Sequence, residues 1–365
     1  MSTPQFHTLP ITRVSPEAAG AVSLTLSVPP TLREQFQFEP GQFLTLRSTV
    51  NGRDIRRSYS ISSPRQLFAE RGELEVGIRP VEGGVFSNWA AQSLKSGDTL
   101  AVMPPDGRFV SQRPRAIHRV GFAAGSGITP ILSIMATTLA EQPHSKFTLV
   151  FGNRRMNSVM FNEALQDLKD RYPDRLTLIH VLSRQAQEVP LLEGRIDAAK
   201  VNELIATLLP VGSMDEVFIC GPDAMITSTE NALLAAGVKP ERIRTERFFS
   251  PDAPQGWREA SELSAAEKAK GAQKVKLTLE LDGKTHEIDM RRDEAILDAA
   301  LNAGLDLPYS CKAGVCCTCR AKVLDGEVEM LRNFTLEAGE MAQGFVLTCQ
   351  AQPRCDSLRV SFDDR

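Results

Sequence analysis

The sequence predicts a multidomain chain of the α/β and β classes: an antiparallel β-barrel, then a parallel-sheet α/β unit, then a small mixed α/β unit. Three observations predict it. Apolar and polar residues alternate between Gly and Pro turns up to about Val110. After Arg119, short apolar runs alternate with stretches of helical period. Near the C-terminus a hairpin signal and one helix precede Cys311, Cys316, Cys317 and Cys319. The 365 residues suffice for two to three domains of roughly 150 residues each. The predicted division is 1–112, 113–249, a linker at 250–272, and 273–365.

At 42% hydrophobic and 24% charged, the composition is that of a globular chain and not of a disordered one. A net charge of −3 is too small for nucleic-acid or bulk membrane binding, so neither is expected as a partner. No apolar run approaches the ~18 residues of a membrane span. The opening Met1 to His7 lacks the basic-then-apolar order of a secretory signal. Seven cysteines, mostly clustered, read as metal ligands in a reducing compartment, and a cytoplasmic location is expected.

In the first unit Val22, Leu24, Leu26 and Val28 alternate with Ser and Thr. The pattern recurs at Phe43–Leu46, at Leu74, Val76 and Ile78, and at Leu100 and Val102. Pro40-Gly41, Asn51-Gly52 and Gly97-Asp98 punctuate the runs, as in a small antiparallel barrel. One helix is expected, from Gly83-Gly84 to about Leu94. Two stretches carry chemistry. Alternation along Arg57-Ser58-Tyr59-Ser60 puts Arg57 and Tyr59 on one strand face. Such an Arg can clamp a pyrophosphate, the Tyr can stack on a flat ring, and Ser60 offers a hydroxyl near it. The neighbouring Arg56 is expected to be solvated. Gly83-Gly84-Val85-Phe86-Ser87 opens the helix, where free backbone N–H groups and the dipole favour a phosphate. Alone, each stretch is an ordinary strand or turn. Together, upstream of a nucleotide unit, they point to FAD.

The second unit begins with a strand at Val120–Ala124, then Gly125-Ser126-Gly127-Ile128-Thr129-Pro130, then a helix through Leu139. Strand, Gly-rich turn and helix bring backbone close to a pyrophosphate, although this is not the G-x-G-x-x-G fingerprint. Strands at Phe147–Phe151, Leu176–Leu182 and Glu216–Cys220 then alternate with helices near 158–171, 197–208 and 223–236, with Asp197 as an N-cap. Ligands bind at the C-terminal ends of such strands. There lie Asn153-Arg154, Ser183-Arg184 and Cys220-Gly221-Pro222, with Met225 just beyond. Cys220 reads as a thiol beside a nicotinamide, against the plainer reading of a small strand-closing residue. The arginines, with no acidic residue evident in those turns to grip a ribose 2′-hydroxyl, favour NADPH over NADH. The five histidines are scattered and read as structural or solvated.

In the third unit, Val275–Leu281 and Thr285–Met290 flank Asp282-Gly283, a hairpin signal. A helix at 294–303 precedes the cysteine loop. Cys311, Cys316 and Cys319 form C-x4-C-x2-C, and 29 residues separate Cys319 from Cys349. This is plant-type [2Fe–2S] spacing, three ligands on one loop and a fourth at a distance. Zinc would want paired knuckles, and the second pair is missing. Cys317 reads as a small buried thiol, not a fifth ligand, and Cys355 has no partner signal. The unit's mildly acidic charge could suit docking on a basic surface, with solvated charge as the safer reading.

A nicotinamide gives two electrons as a hydride, a [2Fe–2S] cluster takes one, and a flavin converts between them. The R-x-Y-S, G-G-x-x-S, G-S-G-I-T-P and C-G-P stretches together resemble the ferredoxin–NADP reductase superfamily. With the plant-type ferredoxin unit, the chain is similar to reductases of multicomponent oxygenases. Phe6-His7, Arg56–Ile61, Val81–Gly84, Phe218–Pro222, Glu246–Phe248 and the cysteine loop resemble most the reductases that serve a di-iron, multi-subunit phenylacetyl-CoA epoxidase. The resemblance implies a β-grasp-like third domain. It implies that Arg57, Ser58, Tyr59, Ser60 and Ile78 hold FAD, with Tyr59 on the isoalloxazine and Ser60 near N5. It gives the pyrophosphate to Gly83, Gly84, Val85 and Ser87. Gly125, Gly127 and Thr129 would meet the nicotinamide nucleotide, with Asn153, Arg154, Ser183, Arg184, Gly221, Pro222 and Met225 around it. Ser60, Cys220 and Phe248 would stand at the reaction centre. Cys317 departs from the Gly or Ala expected inside the cluster loop. A reductase for a Rieske-type or ketosteroid hydroxylase, and a flavin/iron–sulfur redox sensor, are the competing readings.

Overall fold

The computed structural model describes residues 5–113, 116–248 and 273–364. The predicted linker at 250–272 lies outside the described residues. Strands β1 (His7–Pro16), β2 (Val22–Ser27), β3 (Phe43–Val50), β4 (Arg53–Ser60), β5 (Glu73–Ile78) and β6 (Thr99–Val102) form one antiparallel sheet. Its order is β4-β3-β6-β1-β2-β5, and a bridge from Ile61 to Val76 brings its two ends together. Curling an alternating sheet onto itself buries every second residue, and Leu9, Leu24, Leu44, Leu74 and Val76 fill the interior. At the β3–β4 turn Asn51 and Gly52 take φ 52° and 74°, the left-handed pair a tight hairpin requires.

The barrel carries two helices, α1 (Arg65–Arg71) and α2 (Val85–Ser93), where the sequence predicts only the second. Helix α1 is short and buries only Phe68, so no apolar period betrays it. Pro64 opens it and Gly72, at φ 69°, closes it.

Strands β7 (His118–Ala124), β8 (Lys146–Asn153), β9 (Leu176–Leu182), β10 (Glu216–Gly221) and β11 (Ile243–Arg247) form a wholly parallel sheet ordered β11-β10-β7-β8-β9. The chain runs outward from β7 to β9, then returns to the other side of β7. That reversal opens a crevice above β7 and β10, where such sheets take ligands. Helix α3 (Ile128–Glu141) is buried almost all round because it is wedged between this sheet and the barrel. Ser133 Oγ donates to the Ser63 carbonyl at 2.7 Å, and Thr137 Oγ1 accepts the Arg65 N–H at 3.0 Å, which fixes one unit against the other. Asp197 caps α5 (Ala198–Thr207) as predicted, accepting the Lys200 N–H at 2.9 Å. Helix α4 (Asn162–Arg171) starts later than predicted, after a single 3-10 turn at Met156–Ser158. Helix α6 (Asp223–Ala235) follows β10.

The last unit has strands β12 (Lys274–Leu281), β13 (Lys284–Arg291), β14 (Arg320–Asp325), β15 (Val328–Met330), β16 (Phe345–Leu347), β17 (Ala351–Pro353) and β18 (Ser357–Ser361). Its main sheet is mixed, ordered β13-β12-β18-β14-β16, with β12 and β18 parallel. The sheet wraps the helix Ile296–Asn302, as a β-grasp does, through Leu277, Leu279, Ile296, Leu297 and Ala300. Asp282 and Gly283 form the predicted hairpin turn, both at positive φ. A second short helix, Ala338–Ala342, is exposed and escaped the sequence reading for the same reason as α1.

Candidate active site

A cavity of about 760 Å³ runs from the barrel into the crevice above β7 and β10. From β4 it receives Arg57, Ser58, Tyr59 and Ser60. Tyr59 is held at 5.8 Å from the Phe86 ring of α2, and burial keeps its hydroxyl protonated. Gly84, Val85 and Ser87 line it from the start of α2. A Cβ at Gly84 would fall 2.5 Å from Ser87 Oγ, so only glycine keeps this cradle open to a phosphate.

From the parallel sheet come Gly125, Gly127, Thr129, Asn153, Arg154 and Ser183, with Gly221, Pro222 and Met225 after β10. Gly127 has a packing reason as well: a Cβ there would overlap the Cys220 carbonyl. Phe248 closes the cavity and is 41% exposed. The other predicted residues stand off it. Ile78 belongs to the barrel core, and Gly83 is the left-handed residue that turns the chain into α2. Arg184 is exposed and gives its N–H to the Arg154 carbonyl. The Cys220 side chain packs under the loop, in the apolar cluster of Ile128 and Phe218. Burial, with Glu246 nearby, pushes its thiol far above the ordinary value, so it stays protonated.

Glu246, Arg79 and Arg195 were given no site role by the sequence. Glu246 pairs with Cys220 across β10 and β11, and Ser60 Oγ donates to its Oε2 at 3.1 Å. Burial pushes this carboxyl up to about 8, against a smaller pull from Ser60, so it holds a proton at neutral pH beside the cavity-lining Ser60. Arg79 follows β5 and lines the cavity close to Gly125 and Arg154. Its only sequence signal was a basic residue at a strand end.

The expectation for Arg56 is corrected. It is 3% exposed, not solvated, with Nη2 at 2.6 Å from Asp306 Oδ1 and Nη1 at 3.1 Å from the Leu307 carbonyl. Its guanidinium also stacks 4.4 Å from the Tyr309 ring.

Cys311, Cys316, Cys319 and Cys349 are all buried and meet in one place. Cys311 is linked to Cys316 and Cys349, and Cys349 to Cys319. The Ala313 N–H points at Cys311 Sγ at 3.3 Å, and that of Val315 supports the same sulfur. Sulfurs gathered by small residues, with amides aimed at them, fit an anionic iron–sulfur cluster. Among the described residues no three ligating side chains close on a single metal ion, so the fit rests on the linked quartet. Cys317 stands outside it. It is half-buried where a buried thiol was expected, donates to Thr335 Oγ1 at 3.0 Å, and sits at φ 56°, which explains why glycine suits that position.

The chain matches three domain families: the oxidoreductase FAD-binding domain over residues 12–110, the oxidoreductase NAD-binding domain over 122–231, and the 2Fe-2S iron-sulfur cluster binding domain over 279–354. It is 44% identical to one of the subunits of the 1,2-phenylacetyl-CoA epoxidase of Escherichia coli, over 98% of each chain. It is 35% identical to the ferredoxin reductase component of 3-ketosteroid-9-alpha-monooxygenase of Rhodococcus rhodochrous, over 97% of this chain and 96% of that one. Phthalate dioxygenase reductase shares the fold, with TM-score 0.60 and 22% identity over 98% of each chain. Fold and site together define an oxidoreductase that takes FAD, a pyridine nucleotide and a [2Fe–2S] cluster. The chain belongs to the family of reductase components of oxygenase systems. Among the described residues no helix is long and apolar enough to cross a membrane.

Proposed function

We propose that this chain passes electrons from NADPH, through FAD and its own cluster, to a di-iron, multi-subunit phenylacetyl-CoA epoxidase in the cytoplasm. When bound, the nicotinamide supplies a hydride, and the flavin and cluster turn that pair into single electrons. The observation that carries the reading is the cavity, which joins a flavin-type strand face to a nucleotide-type crevice and borders the cysteine loop's unit through Ser58. This geometry supports the following roles. Arg57 and the α2 start, with Gly84, Val85 and Ser87, hold the flavin pyrophosphate. Tyr59 would pack against its ring, and Phe248, lining the same cavity, would cover it. Ser60 and the protonated Glu246 stand by to exchange a proton as hydride arrives. Gly127 and Thr129 let the nicotinamide approach over Gly221 and Pro222. The four buried cysteines, Cys311, Cys316, Cys319 and Cys349, hold the cluster.

NADPH is favoured because Arg154 and Arg195 line the nucleotide arm of the cavity, where guanidinium groups suit a 2′-phosphate. Asp197, the carboxylate that also lines it, is engaged in capping α5. The epoxidase is favoured over a ketosteroid hydroxylase by 44% against 35% identity. The division at 1–112, 113–249 and 273–365 belongs to the same proposal. Purified protein should reduce cytochrome c with NADPH and support the epoxidase, not the ketosteroid oxygenase, on reconstitution. Cys316→Ser should lose cytochrome c reduction while the flavin is still reduced by NADPH. Undiminished cytochrome c reduction in that variant would remove the route through the cluster.

A further inference from the structure

The third unit is docked on the barrel by its cysteine loop, not by its sheet. Arg56 and Ser58, two residues apart on β4, both reach it. Arg56 binds Asp306 and the Leu307 carbonyl, and Ser58 Oγ lies 2.6 Å from Ser310 Oγ. Phe43, from the neighbouring strand, packs directly on Cys311. On the far side Arg108 forks onto Glu340 at 2.6 and 2.9 Å. The barrel thus supplies the cations and the third unit the carboxylates, so at these two points the acidic charge read as solvated is engaged.

Exposed ion pairs are worth little. Arg56 differs because it is buried and serves Asp306, the Leu307 carbonyl and the Tyr309 and Phe6 rings at once, with Asp54 further off at 3.8 Å, so losing Asp306 leaves a buried charge with only its more distant carboxylate. Arg56 does not line the cavity, whereas Ser58 does. Ser58 therefore touches the proposed flavin site on one side and Ser310 on the other, and Ser310 is bonded to the ligand Cys311.

We propose that Arg56 and Asp306 form a latch that holds the cysteine loop on the flavin barrel, and that the Ser58–Ser310 contact is where single electrons cross. The inference rests on the electron-transfer reading above. One electron leaves the reduced flavin and enters the oxidised cluster, with no bond made or broken and NADPH as the source. Arg56 and Asp306 are positioning residues, because they fix the distance across which the electron passes.

The test uses the full holoprotein with Arg56→Asp, Asp306→Arg, the double exchange, and Ser310→Ala. Stopped-flow absorbance follows flavin and cluster separately, and small-angle scattering reports whether the third unit leaves the barrel. Each single reversal should enlarge the radius of gyration and slow cluster reduction at least about tenfold, since small misplacements of reacting groups cost that much or more. Flavin reduction should be unchanged, and the double exchange should restore both readouts. Ser310→Ala should slow cluster reduction without changing the scattering. Should Arg56→Asp fail to fold, Asp306→Asn carries the test, because Asp306 is half-exposed. If cluster reduction and scattering stay at wild-type values in the reversals, or the exchange restores neither, the latch is wrong. If Ser310→Ala transfers at the wild-type rate, the crossing point is wrong. If the wild type itself shows no passage from flavin to cluster, the electron-transfer reading fails, which is a separate result.

Discussion

The residue that most changes the chemistry of the site is Glu246, which nothing in its local sequence singles out. It stands half-buried on β11, paired with Cys220 of β10 and bonded to Ser60 of the barrel. With a folded value of about 8 against an ordinary 4.5, the folded chain keeps a proton there that the unfolded chain has lost. Its contribution to stability is therefore full below pH 4.5 and declines as the pH rises through 8. Glu246→Gln should flatten that decline, read from denaturant midpoints at several pH values. An equally steep decline in the variant would assign it to another group. The grouping of Cys311, Cys316, Cys319 and Cys349 was legible because three of them lie within nine residues at the spacing of a plant-type cluster loop. Arg56 was not: its nearer carboxylate, Asp306, lies 250 residues away in sequence, and a basic residue on a strand otherwise reads as solvated.

At the scale of elements, period was a good guide wherever a long face is buried. The barrel strands, the β-α alternation and the Asp282-Gly283 hairpin follow the sequence reading closely. It failed on α1 and on Ala338–Ala342, two helices too short to show a period. It also began α4 too early, because a 3-10 turn carries the same residues as a first helical turn. Most of the cavity lining was legible from glycines and strand ends. Ile78, Arg184 and Cys220 stand off it because sequence order gives the strand end but not which way a side chain turns, and Gly83 because it only turns the chain into α2. Gly127 meets β10 closely, at the Cys220 carbonyl. Gly127→Ala should destabilise the second unit by roughly 1–3 kcal/mol, the usual cost of overpacking a core. The nucleotide affinity should fall with it, since loop and strand must part to admit a Cβ. Urea unfolding and nucleotide titration check this, and a variant as stable as wild type would show that the loop can move freely.

At the scale of the molecule, two sheets meet to form one cavity, and a third unit docks beside it through Ser310 against the cavity-lining Ser58. No single unit contains the whole path. The cavity is shared between the barrel and the parallel sheet, and the third unit meets the barrel at β3, β4 and Arg108. The central claim is that paired electrons enter at the crevice and leave singly through the cysteines of the same chain. Its most direct test is anaerobic stopped-flow reduction with NADPH and with NADH, following flavin and cluster bands separately. The flavin band should bleach first, faster with NADPH. The cluster band should follow at a rate independent of protein concentration. Cluster bleaching without prior flavin reduction, or at a rate that rises with protein concentration, would contradict the account.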